Sequence, residues 1–282
     1  MNDSSRSLAG RIALITGGNS GIGLVTAREL AQQGAQVFVA CRSKDKGQAA
    51  VNDIQRATRN EAVEFLALDL GDFASVRRCA KDFLARDVPL HLLINNAGLA
   101  GAKGLTASGF ELAFGTNHLG HFLLTQLLLD RIKASAPARI VTVASRAHTR
   151  VSGLKLDNVK ESTSGKAGLP EYARSKLANV LFSAELGRRL AGTGVTTYSL
   201  HPGVVATDVW RELPGFLQPV VKLMMISSEE GAKTTLYCAT APAAANETGL
   251  YYDKCRAIAP SRAGGDAELA AELWRRSETW VA

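Results

Sequence analysis

The opening stretch, MNDSSRSLAGR, lacks any apolar run, so it reads neither as a secretory signal nor as an amino-terminal membrane anchor. The expected setting is the cytoplasm. Cysteine is scarce: Cys41, Cys79, Cys238 and Cys255 stand far apart, with no CxxC pair and no pairing rhythm. That excludes a disulfide framework and suits reduced thiols used for packing. Five histidines give no metal-ligand spacing, and the one close pair, His118 and His121, reads as packing or hydrogen bonding. No metal is expected. A basic run interleaved with aromatics is missing too. The net charge of +7 is spread along the chain, in pairs such as Arg77-Arg78, Arg188-Arg189 and Arg275-Arg276, which describes a solvated surface rather than a nucleic-acid face.

What is present is a chain of 282 residues, 46% hydrophobic, long enough for one large core and showing neither a second domain nor an internal repeat. Residues 1–282 are read as a single domain. Short apolar runs alternate with longer amphipathic ones, the rhythm of βαβ units around a parallel sheet, so the fold class is α/β with flanking helices. Strands are expected at 11–16, 36–40, 63–70, 91–98, 139–145, 195–203 and 249–253. Helices are expected over 24–34 and around 73–87, 107–132 and 170–191. Two segments, 146–168 and 206–227, break the rhythm where a strand has just ended. Ligands sit outside the carboxyl ends of parallel strands, so these segments are candidate pocket walls. The second holds Trp210, Phe216, Leu217, Met224 and Met225, and reads as an apolar lid, as core or as a dimer contact.

Between the first strand and first helix lies TGGNSGIG, with Gly17, Gly21 and Gly23 preceding the helix. Its spacing differs from GxGxxG, but the physics is shared: glycines let the backbone approach a pyrophosphate, and the helix amides point at its charge. Asn19, Ser20 and Ile22 complete that candidate contact, with Ser20 or Asn19 adding a hydrogen bond or a cap. At the end of the second strand an NAD site usually carries an acid. Here Arg42 stands instead, followed by Ser43 and Lys44, which favours the 2′-phosphate of NADP(H). The competing reading is that Arg42 only begins a solvated helix.

Taken in order, TGGNSGIG, NNAG (95–98), Asn117, Ser145, YARSK (172–176) and HPG (201–203) make the chain resemble the short-chain dehydrogenase/reductase family from about residue 10 to 255. TNHLGHFLLT, ACRS and the tail GLYYDKC…LWRRSE are most similar to its retinol dehydrogenase-like branch. The resemblance implies a Rossmann-type, doubly wound parallel sheet with a small substrate-binding lid. It also implies hydride transfer between a nicotinamide cofactor and a small-molecule alcohol or carbonyl. It assigns Asp69 and Leu70 to the adenine end and Asn96, Ala97 and Gly98 to the floor beneath the adenosine ribose. Pro202, Gly203, Val205 and Thr207 go to the nicotinamide side. Many family members pair subunits through helices near 107–132 and 170–191, so a homodimer or homotetramer fits. Membrane-bound members of the branch carry a hydrophobic amino-terminal anchor, which the opening residues here do not resemble. That departure weakens the transfer of retinoid as substrate.

Tyr172 and Lys176 fall four apart, on one face of a helix. Alone, they could be a surface pair. In a hydride-transfer site the phenol becomes the general acid/base, and a neighbouring ammonium is expected to lower its pKa from about 10. Both also count among the cofactor contacts. Ser145, closing a strand, would present a hydroxyl to the substrate oxygen. Asn117 is implied by the resemblance to support a water linking Lys176 to solvent. The alternative for it is a buried Asn bonded to backbone. The leading reading is an NADP-dependent oxidoreductase acting on a lipophilic carbonyl or alcohol; a catalytically silent NADP-binding regulator is the alternative.

Overall fold

In the computed structural model, which describes residues 7–163, 168–203 and 227–282, eight strands form one sheet in the order β3-β2-β1-β4-β5-β6-β7-β8. The strands are β1 (Ile12–Thr16), β2 (Gln36–Cys41), β3 (Val63–Ala67), β4 (Leu92–Asn95), β5 (Ala138–Val143), β6 (Val195–His201), β7 (Leu250–Asp253) and β8 (Arg256–Ile258). All pair in parallel except β8, which returns antiparallel along β7. Alternate residues of β1 serve opposite faces, as a period of two requires. Ile12 and Leu14 pack with Phe38 and Leu93 on one side, while Ala13 and Ile15 pack with Val37, Val39 and Ile94 on the other. A strand buried on both faces reads as an unbroken apolar run, which is why IALIT was legible.

Helices cover both faces. α1 (Gly21–Gln32), α2 (Lys44–Thr58) and α7 (Ser228–Thr240) lie over one, contributing Leu30, Ile54 and Cys238 to its core. α3 (Phe73–Leu84), α5 (Gly120–Ala134), α6 (Leu169–Arg189) and α8 (Ala267–Val281) lie over the other, contributing Phe83, Phe122, Phe182 and Trp274. Trp274 of α8 stacks on Phe182 of α6 at 5.9 Å and meets Phe122 edge-on at 5.0 Å, and Arg189 lies over its ring. Each aromatic pair adds roughly 0.5–1.5 kcal/mol beyond burial, so the carboxy-terminal helix fixes α6 from outside.

Several elements differ from the sequence expectation. The helix expected over 107–132 starts only at Leu112, because Gly109 adopts φ 79°, outside any right-handed helix. It opens as the short α4 (Leu112–Phe114), capped by the Glu111 carboxylate accepting from the Phe114 amide at 2.7 Å. A π-helical turn, Gly115–Leu119, then leads into α5. The strand expected at 63–70 ends at Ala67. β8 and α8 had no expected counterpart. Among the described residues no helix is long and apolar enough to cross a membrane. Most of the segment 206–227, with Val205, Thr207 and residues 164–167, lies outside the described residues.

The strand order reverses between β1 and β4, which opens a crevice at their carboxyl ends. α5 crosses below it with Gly120 against the chain after β3: a Cβ there would fall 2.3 Å from the Leu70 carbonyl oxygen and 2.8 Å from its Cβ. Gly120→Ala gains about 1 kcal/mol of helix propensity but overpacks this crossing by roughly 1–3 kcal/mol or more. The expected result is net destabilisation, read as a lower urea midpoint with unchanged slope. A midpoint at or above wild type would show that the crossing is not tight.

Candidate active site

β1 ends in Thr16, and the chain turns at Gly17 with φ 66° and at Gly21 with φ 51°. The turn has no room for side chains: a Cβ at Gly23 would lie 2.3 Å from the Gly17 carbonyl oxygen and 2.5 Å from Asn96 Nδ2. Ser20 takes the N-cap position of α1, but its side chain makes no capping bond, so the first-turn amides are left for a ligand. Across the crevice the Asn96 and Ala97 amides donate to Thr16 Oγ1 at 2.9 and 3.0 Å, and Asn96 Nδ2 donates to the Thr16 carbonyl at 2.8 Å. The glycine turn and the NNAG turn are thus held as one body.

A cleft of about 1280 Å³ runs over this body. It is lined by Gly17, Asn19, Ser20, Gly21, Ile22 and Gly23 at its centre, by Arg42, Asp69 and Leu70 towards one end, and by Asn96, Ala97 and Gly98 along the floor. Ser145, Tyr172, Lys176, Pro202 and Gly203 line it too. The narrow glycine cradle and the amides around it fit a pyrophosphate, and a cleft of this volume has room for a dinucleotide. Lys46, on the first turn of α2, also lines it beside Arg42. That second cation went unnoticed in the sequence because nothing in KDKG marks which lysine faces inward.

At the far end α6 brings Tyr172 and Lys176 together. The Lys176 ammonium is 3% exposed and donates to the Val143 carbonyl at 2.9 Å, with its nitrogen 5.7 Å from the Tyr172 ring centre. Burial pushes its pKa down to about 8. Tyr172 differs from expectation. Burial raises its pKa, and the opposing influences are the hydrogen bond with Ser145 and the charge of Arg150, not Lys176. The phenol is therefore held protonated at neutral pH.

Ser145 is fixed from several sides. Its Oγ accepts from the Ala147 amide at 3.1 Å, capping a 3-10 turn over Arg146–Arg150. Its carbonyl accepts from His148 Nδ1 at 2.7 Å, while His148 Nε2 accepts from the Ser261 amide at 3.1 Å. Arg146 pairs with Asp253 at the end of β7, and its amide donates to His201 Nδ1 at 3.3 Å. Burial lowers the pKa of both imidazoles, that of His201 to about 4. Sequence reading missed His148, His201 and Asp253 as supports of Ser145. The one available signal was the position of His148 three residues after that serine.

Asn117 does not line the cleft. It is fully buried in the π-helical turn; its Oδ1 accepts from the Leu99 amide at 2.9 Å, and its Nδ2 donates to the Leu99 carbonyl and to Ser175 Oγ. Its side chain is a clamp on the backbone after NNAG, which matches the alternative stated for it from sequence. Gly98 threads between: a Cβ there would lie 3.3 Å from Lys176 Nζ and 3.4 Å from Asn117 Oδ1.

Burying Lys176 carries a stability consequence with a definite sign. The unfolded chain keeps this proton up to about 10.5 and the folded chain only to about 8. Between those values the unfolded state binds more protons, so stability climbs with pH; below 8 the full penalty applies, on the order of 3 kcal/mol. Lys176→Met is expected to be more stable than wild type at pH 7, by on the order of 1–3 kcal/mol, because Asn179 Nδ2 still donates to the Val143 carbonyl. The gap closes near pH 10. Urea melts at the two pH values test this, and a variant less stable at pH 7 contradicts it.

Comparison with known proteins agrees with this architecture. The family model described as short chain dehydrogenase matches residues 11–156. Mouse retinol dehydrogenase 11 is 45% identical over 270 residues, covering 95% of this chain and 85% of its own. Human retinol dehydrogenase 12 is 45% identical over 279 residues, covering 96% and 86%. A crystal structure of an uncharacterized protein from Mycobacterium Paratuberculosis superposes with TM-score 0.78 at 37% identity, covering 98% of this chain and 94% of that one. The Pseudomonas aeruginosa RhlG/NADP active-site complex superposes with TM-score 0.70 at 26% identity, covering 94% and 100%. With its reversed strand order, glycine cradle and YARSK helix, the chain belongs to the short-chain dehydrogenase/reductase family of oxidoreductases, in the retinol dehydrogenase-like branch.

Proposed function

We propose that this protein is an NADP(H)-dependent oxidoreductase that reduces a lipophilic carbonyl, with Tyr172 as proton donor. The observation that carries the reading is the meeting of Ser145, Tyr172 and Lys176 at one end of the cleft whose other end holds Arg42 and Lys46. When bound, the dinucleotide supplies the hydride. Arg42 and Lys46 would hold its 2′-phosphate, since the chain leaving β2 presents two cations to the cleft and the carboxylate that α2 adds to the lining, Asp53, is paired with Arg28.

The remaining chemistry belongs to the chain. Ser145 accepts from Ala147 and shares a hydrogen bond with Tyr172, so its hydroxyl stands beside the phenol at the cleft, where the two together would hold the carbonyl oxygen. Tyr172, protonated at neutral pH and held so more firmly by burial, would donate its proton to that oxygen. Lys176 places a positive charge near the phenol as it loses its proton. Leu99, Ala100, Ala102, Leu112 and Leu169 line the cleft, which supports an apolar substrate, and relatives named for retinol act in the same chemical class. The four free thiols suit a reducing, cytoplasmic setting. A silent binding protein has no use for an ammonium buried at this cost, which weighs against the regulator reading.

Three outcomes are expected from a panel of aliphatic aldehydes followed at the nicotinamide absorbance band. NADPH should outperform NADH in kcat/KM, and Arg42→Asp should reverse much of that preference, by roughly tenfold to a hundredfold for a lost charge-assisted contact. Longer apolar aldehydes should outperform short polar ones. Tyr172→Phe should lower kcat by roughly 10²–10⁴ while NADPH still binds. Equal use of both cofactors overturns the NADP assignment, and undiminished turnover in Tyr172→Phe removes its catalytic role.

A further inference from the structure

The two histidines of TNHLGH behave differently. His118 packs among Phe114, Phe122 and Phe182, with one ring nitrogen 3.2 Å from Ser277 Oγ. His121, one turn on and 1% exposed, uses both ring nitrogens at functional positions. Its Nδ1 lies 2.9 Å from the Asn117 carbonyl oxygen and its Nε2 lies 2.8 Å from Thr16 Oγ1. A carbonyl cannot donate, so Nδ1 carries the hydrogen. Burial holds the ring neutral, with a pKa near 4, so Nε2 is an acceptor. The Thr16 hydroxyl, already accepting from Asn96 and Ala97, therefore donates to His121; its other reachable acceptor, the Ile94 carbonyl at 3.4 Å, is a poorer one.

We propose that His121 is a positioning residue whose imidazole couples the dinucleotide-binding turn, through Thr16, to the Asn117 turn behind Lys176. The inference rests on the functional reading above and adds a residue to it. One arm fixes the Thr16 hydroxyl that anchors the NNAG amides. The other fixes the carbonyl of Asn117, whose side chain clamps Leu99 next to the Gly98 passage beside Lys176. The first arm governs cofactor affinity. The second governs turnover.

Side-chain length separates the arms. The carboxamide of Asn falls near the Nδ1 position and that of Gln near Nε2, so each replacement keeps one bond and loses the other. His121→Asn should weaken the NADPH Kd about tenfold, the scale of one buried hydrogen bond, and move kcat much less. His121→Gln should do the reverse, lowering kcat about tenfold with nearly unchanged Kd. His121→Phe should lose both. Kd is read by NADPH fluorescence, kcat with a saturating aliphatic aldehyde, and Tm alongside. If Kd and kcat move together in all three variants and track Tm, or if neither moves, the coupling role is overturned. Should wild type turn over no carbonyl, the functional reading fails by itself. The Kd comparison of Asn with Gln still decides the Thr16 arm: a difference supports it and equality overturns it.

Discussion

The hydroxyl of Thr16 is the knot on which the mouth of the sheet depends. Where strand order reverses, the chain leaving β4 turns aside from β1, and the Asn96 and Ala97 amides both donate to that one oxygen. An apolar residue at 16 would leave two amides without this partner, each worth roughly 1–3 kcal/mol when buried. The next residue, Gly17, still donates its amide to the Ala40 carbonyl at 2.7 Å and then turns away with φ 66°. The cradle for a pyrophosphate is thus a consequence of how the reversal is stitched. Threonine suits the place twice, since its branched Cβ favours the strand that it ends.

From this knot the charges follow a simple division. His121, His148 and His201 are all buried, and burial lowers the pKa of each. Each uses a ring nitrogen as acceptor: His121 from Thr16, His148 from Ser261, His201 from Arg146. A proton on that nitrogen would set two donors against each other. The buried positive charge at this end of the cleft is therefore left to Lys176, held by a carbonyl that neutralises nothing. Neutral imidazoles fix geometry without competing for the proton in transit.

The central strands β1, β2 and β4 were legible because burial on both faces makes them apolar runs, and the glycine turn because its φ values at Gly17 and Gly21 favour glycine. The α6 pair was legible only in company: its interval puts both side chains on one face, but the ordered set of motifs around it was needed to make that face a site. The β7–β8 hairpin was not: its two loop residues, Lys254 and Cys255, have φ 49° and 59°, positions where Asn-Gly is the usual signal. Lys-Cys hides the turn. The π-helical turn at 115–119 was hidden for a different reason: residues 117–125 are buried on every side, so no apolar face exists whose phase one extra residue could shift. It also explains Asn117. That residue, poor in a regular helix, sits where the ladder is wound one residue wide, and its amide is spent on the Leu99 backbone. The lowered phenol pKa expected from Lys176 failed for want of a quantity that sequence does not carry: desolvation, which outweighs the nearby charges.

Ser145 shows how the late part of the chain reaches the chemistry. Its oxygen is set by the Ala147 amide, its carbonyl by His148, and its neighbour Arg146 by Asp253 and His201. Those supports come from the ends of β6 and β7 and from the loop at Ser261; from sequence only the β6 end, in HPG, was marked as part of the site, and for the cofactor instead of for Ser145. A hydroxyl held this way has little freedom left to lose when a substrate oxygen arrives, so its donor dipole acts without reorganisation. On the proposed function, discrimination among substrates would fall to the apolar lining around Leu99, Leu112 and Leu169, where a methylene changes affinity only modestly. A rigid polar end beside a permissive apolar one is the arrangement expected of an enzyme that is strict about the bond it transforms and lenient about the chain attached to it.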